Sequence, residues 1–301
     1  MLVRAARMHP AANDIVDRAS VVLGPAMRRY FSAEGASLAT NRDVQLATFL
    51  ATQMHLAALT AEGLDSELSV GMSLGEYSHL VHIHALSFES ALRLIDARGT
   101  AYDTAPPGMM AAVLAVGRDV VEEAVREASA NGDIAISNYN SPSQHVIAGD
   151  AAAVTAAIAN LEEHHLAHTI VTESRVPMHT ALLRDVAEQF AAELGRAAWA
   201  SPDRPYLPNV RGAWASAVAP ADFVRCLSEH VTQPVRWQES VEMLFALHPG
   251  AVFVEVGPGR VLSNLFGRRW IRAACAATDA EHGSDAEVHF RAVADHLRKH
   301  S

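Results

Sequence analysis

Apolar periodicity predicts an α/β protein in which a small domain interrupts a larger one. Three observations lead there. Residues 109 to 174 run strand, helix, strand, strand, helix, strand, the order of a ferredoxin-like unit. The chain on either side carries longer helical segments alternating with short apolar runs. Between the two lies Ala105-Pro106-Pro107-Gly108, a break that neither a helix nor a strand tolerates. The expected domains are therefore 1–104 plus 176–301 for the larger and 105–175 for the insert.

The elements follow in order. Residues 12 to 32 and 43 to 62 read as helices, and the second, VQLATFLATQMHLAAL, is apolar nearly all round and so expected to be buried. ELSV then makes a short buried strand, EYSHLVHIHAL places apolar residues at helical spacing, and SFESALRLIDARGTAYD (87 to 103) is an amphipathic helix. In the insert, MMAAVLAV, DIAISNYN, QHVIAGD and AHTIVTES are strands, while RDVVEEAVREAS and AAAVTAAIANLEEHH are helices. Beyond it, HTALLRDVAEQFAAEL (179 to 194), PADFVRCLSEHV and SVEMLFALHP are helical, and YLPNV is a strand. AVFVEVGPG is a buried strand ending in a glycine turn, and DAEVHFRAVADHLRKH is a closing helix.

Composition narrows the function. With 24 basic against 34 acidic side chains, the protein lacks the dense basic surface that nonspecific nucleic-acid binding requires. No apolar run approaches a membrane span and Met1-Leu2-Val3-Arg4 opens no clear signal peptide, so a cytoplasmic protein is expected. Cys226 and Cys275 have no metal or redox spacing. His79, His82 and His84 lie close together, and His164 and His168 can share a helical face, but no local carboxylate or third ligand completes a site. No metal is expected.

Gly71-Met72-Ser73-Leu74-Gly75, between a strand and a helix, has the pattern of a nucleophile on a sharp turn, where small neighbours make room for the backbone. The pentapeptide alone fits an ordinary turn serine equally well. Its companions decide. VQLATF with Gln45, GMSLGEYSHL with Ser73 and LRLIDARG with Arg98 come first. SNYNSPSQHVIAG with Asn138 and Asn140, RVPMH with His179, TQPVRW and VEVGPG follow in one collinear series. In these blocks, from about residue 10 to about residue 280, the chain resembles the malonyl-CoA:acyl carrier protein transacylase family, which includes the acyltransferase domains of polyketide synthases.

The resemblance implies a hydrolase-like, three-layer α/β domain with an inserted ferredoxin-like domain. It implies a Ser73 nucleophile, His179 as the base that takes its proton, and the His230 backbone carbonyl orienting the imidazole. The N–H of Leu74 would serve the oxyanion hole. Arg98 would grip the free carboxylate of a malonyl-type acyl group, a bidentate contact that suits a planar guanidinium. Gln45, Met72, Met178, Asn138 and Asn140 would line the acyl site. The acyl group would arrive as a coenzyme A thioester, with no bound cofactor. It would leave on the phosphopantetheine thiol of an acyl carrier protein, in fatty-acid or polyketide biosynthesis.

The chain departs from the family at three places. Met72 stands where the family has histidine, and Met178 where malonyl-selective members carry serine, which makes an atypical acyl group an alternative to plain malonyl. The family's opening strand and GQGSQ-like loop, which supplies a second oxyanion donor, is not recognised in this sequence, where MLVRAARMHPAAND corresponds to sequence after it; either the true start lies upstream or another segment replaces the loop. An acidic carrier protein would dock on Arg260, Arg268, Arg269 and Arg272, close to VEVGPG. An acyl hydrolase using the same pair, and a catalytically weak scaffold, are the competing functions. Arg98 opposes the first, and retention of Ser73, His179 and Arg98 together opposes the second.

Overall fold

Thr40 opens the longest helix by accepting a hydrogen bond from the Asp43 N–H at 3.0 Å, a side-chain cap on an otherwise unsatisfied donor. The structure, a computed structural model, describes residues 1–31, 38–215, 218–267, 270–279 and 284–300. The chain divides into two units. One comprises Met1–Thr100, Pro202–Arg204 and Phe245–Ser301; the other comprises Ala101–Ser201 and Pro205–Leu244. The span 105–175 lies within the second unit, which also takes in most of the chain from 176 to 244.

The first unit begins with α1 (Leu2–Met8), α2 (Ala12–Leu23), α3 (Asn41–Ala61), α4 (Gly75–His82) and α5 (Phe88–Tyr102). α3 is buried almost all round, as its composition predicts, with Leu46, Leu50, Ala51 and Met54 fully enclosed. The helix expected over 12–32 stops earlier. Gly24 takes a φ of 88°, and Pro25–Phe31 continues as a tighter 3-10 turn.

The second unit holds β1 (Met109–Leu114), α6 (Arg118–Ala128), β2 (Ile134–Ser141), β3 (Gln144–Gly149), α7 (Ala151–His165) and β4 (His168–Glu173). The strands form one antiparallel sheet in the order β2-β3-β1-β4, the ferredoxin-like arrangement. α6 and α7 cover one face, where Val121, Ala124, Val154, Ala157 and Leu161 pack on Ala111, Val113, Ile136 and Ile147. The other face carries a second apolar cluster of Met110, Val146 and Ala148, with Met178 packed against it. α8 (Arg184–Arg196), α9 (Pro220–Thr232) and α10 (Trp237–Leu247) follow. Returning to the first unit, β5 (Phe253–Glu255) pairs in parallel with β6 (Cys275–Ala277), and α11 (Ala286–Arg298) ends the described fold.

The α/β class holds, but two expected strands do not form. Leu68–Val70 of ELSV belongs to no strand. YLPNV likewise forms no strand among the described residues; Pro208 has no N–H to donate to a ladder, and Tyr206 and Leu207 are fully buried. The helix expected from residue 179 begins only at Arg184, because His179 takes a left-handed φ of 62° and Thr180 is extended. The short helix α1 and the strand β6 lay outside the sequence reading.

Buried histidines make the fold sensitive to acid, and His55 and His145 are two of them. Burial lowers His55 to about 4, and burial beside Arg118 lowers His145 to about 4, from an ordinary value of 6.5. Both stay neutral when folded and take a proton on unfolding below 6.5, so stability falls as pH drops from 6.5 toward 4. Neither ring nitrogen of His145 has a hydrogen-bond partner among the described residues, and its ring stands edge-on to Tyr139 at 5.8 Å. His145→Phe should therefore keep the packing and raise the melting temperature, by more at pH 5 than at pH 8. Melting curves at the two pH values check this.

Candidate active site

Ser73 sits at the start of α4 with φ 53°, a left-handed backbone that costs a non-glycine residue roughly 1–3 kcal/mol. The turn depends on one glycine. A Cβ on Gly71 would lie 2.0 Å from the Gly75 carbonyl oxygen and 2.5 Å from the Glu76 nitrogen. The expected need for a small residue on both sides holds only there, because a Cβ on Gly75 would meet nothing within 4 Å. Gly75 N–H donates to the Met72 carbonyl at 2.9 Å and Glu76 N–H to the Ser73 carbonyl at 3.0 Å, which starts the helix. Leu74 therefore stands at the cap, where helix N–H groups lack intrahelical acceptors and the dipole favours negative charge. Met72 is half-buried.

Arg98, on α5, is 2% exposed. Its Nη1 donates to Gln45 Oε1 on α3 at 2.6 Å, and its guanidinium lies 5.9 Å from the Tyr77 ring centre. The contact depends on a close helix crossing: a Cβ on Gly99 would come within 2.4 Å of the Arg42 Cα. Arg42 also pairs with Asp96 at 2.5 Å, fastening the same two helices. Gln45 Nε2 is buried with no hydrogen-bond partner among the described residues. A buried guanidinium beside a buried amide donor is a chemical match for a carboxylate.

The second unit holds the histidines. His179 is 2% exposed, and its Nδ1 lies 2.6 Å from the His230 carbonyl oxygen. A carbonyl only accepts, so Nδ1 carries the hydrogen and Nε2 is left as the basic nitrogen. The His230 ring stacks on the His179 ring at 4.6 Å.

Sequence explains why that carbonyl is available. His230 lies in the last turn of α9, and the residue four positions on, whose N–H would normally occupy its carbonyl, is Pro234. The chain then pairs with the open edge of β2: Tyr139 N–H donates to the Val235 carbonyl and Val235 N–H to the Ser137 carbonyl, each at 2.9 Å. Asn138 is buried there and accepts from the Ser137 hydroxyl at 2.9 Å, while Asn140 is buried with Oδ1 unpartnered among the described residues. Met178 packs with Met110, Val146 and Ala148, which gives it a space-filling part on the sheet.

Ser73, Leu74, Met72, Gln45 and Arg98 thus belong to the first unit, and His179, His230, Met178, Asn138 and Asn140 to the second. Arg268 and Arg269 lie outside the described residues, and Arg272 is exposed. Among the described residues no group of three or more His, Cys, Asp or Glu is placed to hold a metal ion. No helix there is long and apolar enough to cross a membrane. No motif marks Gly99 or Pro234 in the sequence, although a proline four residues after a helical carbonyl signals that its usual donor is missing.

Residues 13–279 match the acyl transferase domain family. The chain belongs to that family. It is 30% identical over 261 residues to the malonyl CoA-acyl carrier protein transacylase of Bacillus subtilis, covering 85% of this chain and 81% of that protein. Among solved structures, FabD of Acinetobacter baumannii superposes with a TM-score of 0.89 at 28% identity, covering 100% of this chain and 94% of the other. A malonyl-transacylase solved with its type II polyketide synthase acyl-carrier protein, PlMCAT:AntF, gives a TM-score of 0.85 at 26% identity over 97% of this chain and 94% of that one.

The two glycines of the Ser73 turn separate cleanly. Gly71→Ala should cost at least about 1–3 kcal/mol, the usual penalty of overpacking, and Gly75→Ala should cost less than about 0.5 kcal/mol. Denaturant titration of the two variants is the measurement.

Proposed function

We propose that this protein is a malonyl-type acyltransferase. Ser73 takes a carboxylated acyl group from coenzyme A as an ester and passes it to the phosphopantetheine thiol of an acyl carrier protein. The observation that carries the reading is the buried Arg98–Gln45 pair, in a chain that also holds Ser73 on a strained turn at a helix N-terminus. The naming of its relatives as malonyl CoA-acyl carrier protein transacylases supports the choice of acyl group and acceptor.

In the proposed cycle, His179 Nε2 removes the Ser73 proton as the hydroxyl attacks the thioester carbonyl. The N–H of Leu74 and the dipole of α4 stabilise the developing oxyanion. Collapse expels the coenzyme A thiolate, which takes the proton back from His179. The carrier-protein thiol then repeats the steps in reverse, with His179 accepting its proton. The His230 carbonyl keeps Nδ1 protonated throughout and steadies the imidazolium that forms. Arg98 holds the acyl carboxylate by bidentate hydrogen bonds, with Gln45 Nε2 as a further donor. The free acid group thus selects the substrate without taking part in bond making. No metal or other cofactor enters this chemistry. An acidic carrier protein is proposed to dock on the basic segment that includes the exposed Arg272. Neither Cys226 nor Cys275 is in a disulfide, which fits a reducing cytoplasm.

Intact-mass spectrometry after incubation with malonyl-CoA and acetyl-CoA, with and without holo acyl carrier protein, tests the reading. A malonyl adduct on Ser73 that disappears when the carrier protein is added is expected. Ser73→Ala should form none, and loss of the adduct to water at the same rate without carrier protein would make the protein a hydrolase. Arg98→Ala should reduce kcat/KM for malonyl-CoA on the order of a hundredfold, the worth of a charge-assisted bidentate contact, and reduce acetyl-CoA far less. Equal losses would return Arg98 to a structural part.

A further inference from the structure

The segment leading into the Ser73 turn forms no strand among the described residues, and it is tied by side chains that the mechanism does not use. Ser69 Oγ lies 2.7 Å from His79 Nδ1 and 2.9 Å from His82 Nδ1. The two histidines are one turn apart on α4, the helix that begins just after Ser73. A hydroxyl donates one hydrogen and accepts another, so it can satisfy two neutral imidazoles at once, one presenting N–H and the other a lone pair. Burial, with His82 as a neighbour, pushes His79 down to about 3, which keeps that ring neutral.

The tie is anchored at its far side. His82 Nε2 lies 3.0 Å from Asp65 Oδ1 and 2.8 Å from Arg204 Nη1, and Arg204 Nη2 donates to Asp65 Oδ2 at 2.6 Å. The cluster therefore binds the chain before the turn to the helix after it, with Ser73 in between. Left-handed backbone at a serine persists only where surrounding structure over-determines it.

We propose that Ser69, His79 and His82 are positioning residues for the nucleophile: their hydrogen-bonded bridge holds the two arms of the Ser73 turn at the angle that acylation needs. The proposal rests on Ser73 being the acylated residue. Without the bridge the arms still fold, since α4 is buried, but the hydroxyl samples a wider range of positions.

The test is rapid-quench acylation by malonyl-CoA with peptide mapping, on wild type, Ser69→Ala, Ser69→Thr and His79→Phe. Misplacement of a reacting atom by about 1 Å costs up to about a hundredfold, so Ser69→Ala should acylate Ser73 about ten- to a hundredfold more slowly at saturation, with KM unchanged. Ser69→Thr, which keeps the hydroxyl, should regain most of that rate, and His79→Phe should resemble Ser69→Ala. Wild-type rates in Ser69→Ala would overturn the proposal. So would a loss that Ser69→Thr does not rescue and that follows the fall in melting temperature. A wild type labelled on another residue would instead remove Ser73 as the nucleophile, and mapping tells that failure apart.

Discussion

The left-handed backbone of Ser73 is the constraint around which the first unit is organised. Five described non-glycine residues have positive φ, and Ser73 and His179 are two of them. The others sit where a chain must turn anyway: Leu166 caps α7, His84 follows α4, and Ala115 follows β1. Ser73 lies in the turn that opens α4, and its conformation is held by what surrounds it. Gly71 lets the backbone close on Gly75, and Glu76, Tyr77 and Leu80 sink α4 into the core. The same helix brings Tyr77 toward Arg98, so the turn that exposes the hydroxyl and the cation that would select the acyl group share one support.

The second unit solves a different problem, that of fixing an imidazole from both ends. His179 needs a particular nitrogen protonated and a particular ring orientation, and a single carbonyl at 2.6 Å supplies both. That carbonyl is available because Pro234 removes its helical competitor, and it is steadied because Val235 continues onto the edge of β2. The loop bearing His179 is fastened to the same sheet through Met178, on the face opposite the helices. The ferredoxin-like sheet is therefore the frame on which the histidine pair is mounted. Only one end of that hydrogen bond is a side chain, so the identity of residue 230 matters less than the proline that follows it.

What was legible in the sequence was what is local. The sheet of the second unit could be read off residues 109 to 173 because each strand alternates or runs apolar beside its own helix, with no distant partner needed to explain it. Ser73, Arg98 and His179 were legible from short blocks in a fixed order. The segments at ELSV and YLPNV look like strands because a short apolar run reads alike whether or not the chain is regular enough to form one, and Pro208 marks the second as irregular. β5 and β6 are three residues each and pair across some twenty residues, beyond what periodicity resolves. Gly99 read as an ordinary helical glycine, since the Arg42 backbone that it faces comes from a helix far away in sequence. The bridge at Ser69 combines residues from 65 to 204, and side chains so dispersed leave no spacing to recognise.

The proposed chemistry makes Ser73 and His179, carried on separate units, partners in one step. A double-mutant cycle on malonyl transfer measures it, comparing kcat/KM of Ser73→Ala, His179→Ala and the double variant. Residues that act as a unit are strongly non-additive. The double variant should be no slower than the slower single one. Losses that multiply, with the double variant slower by the product of the two, would contradict it.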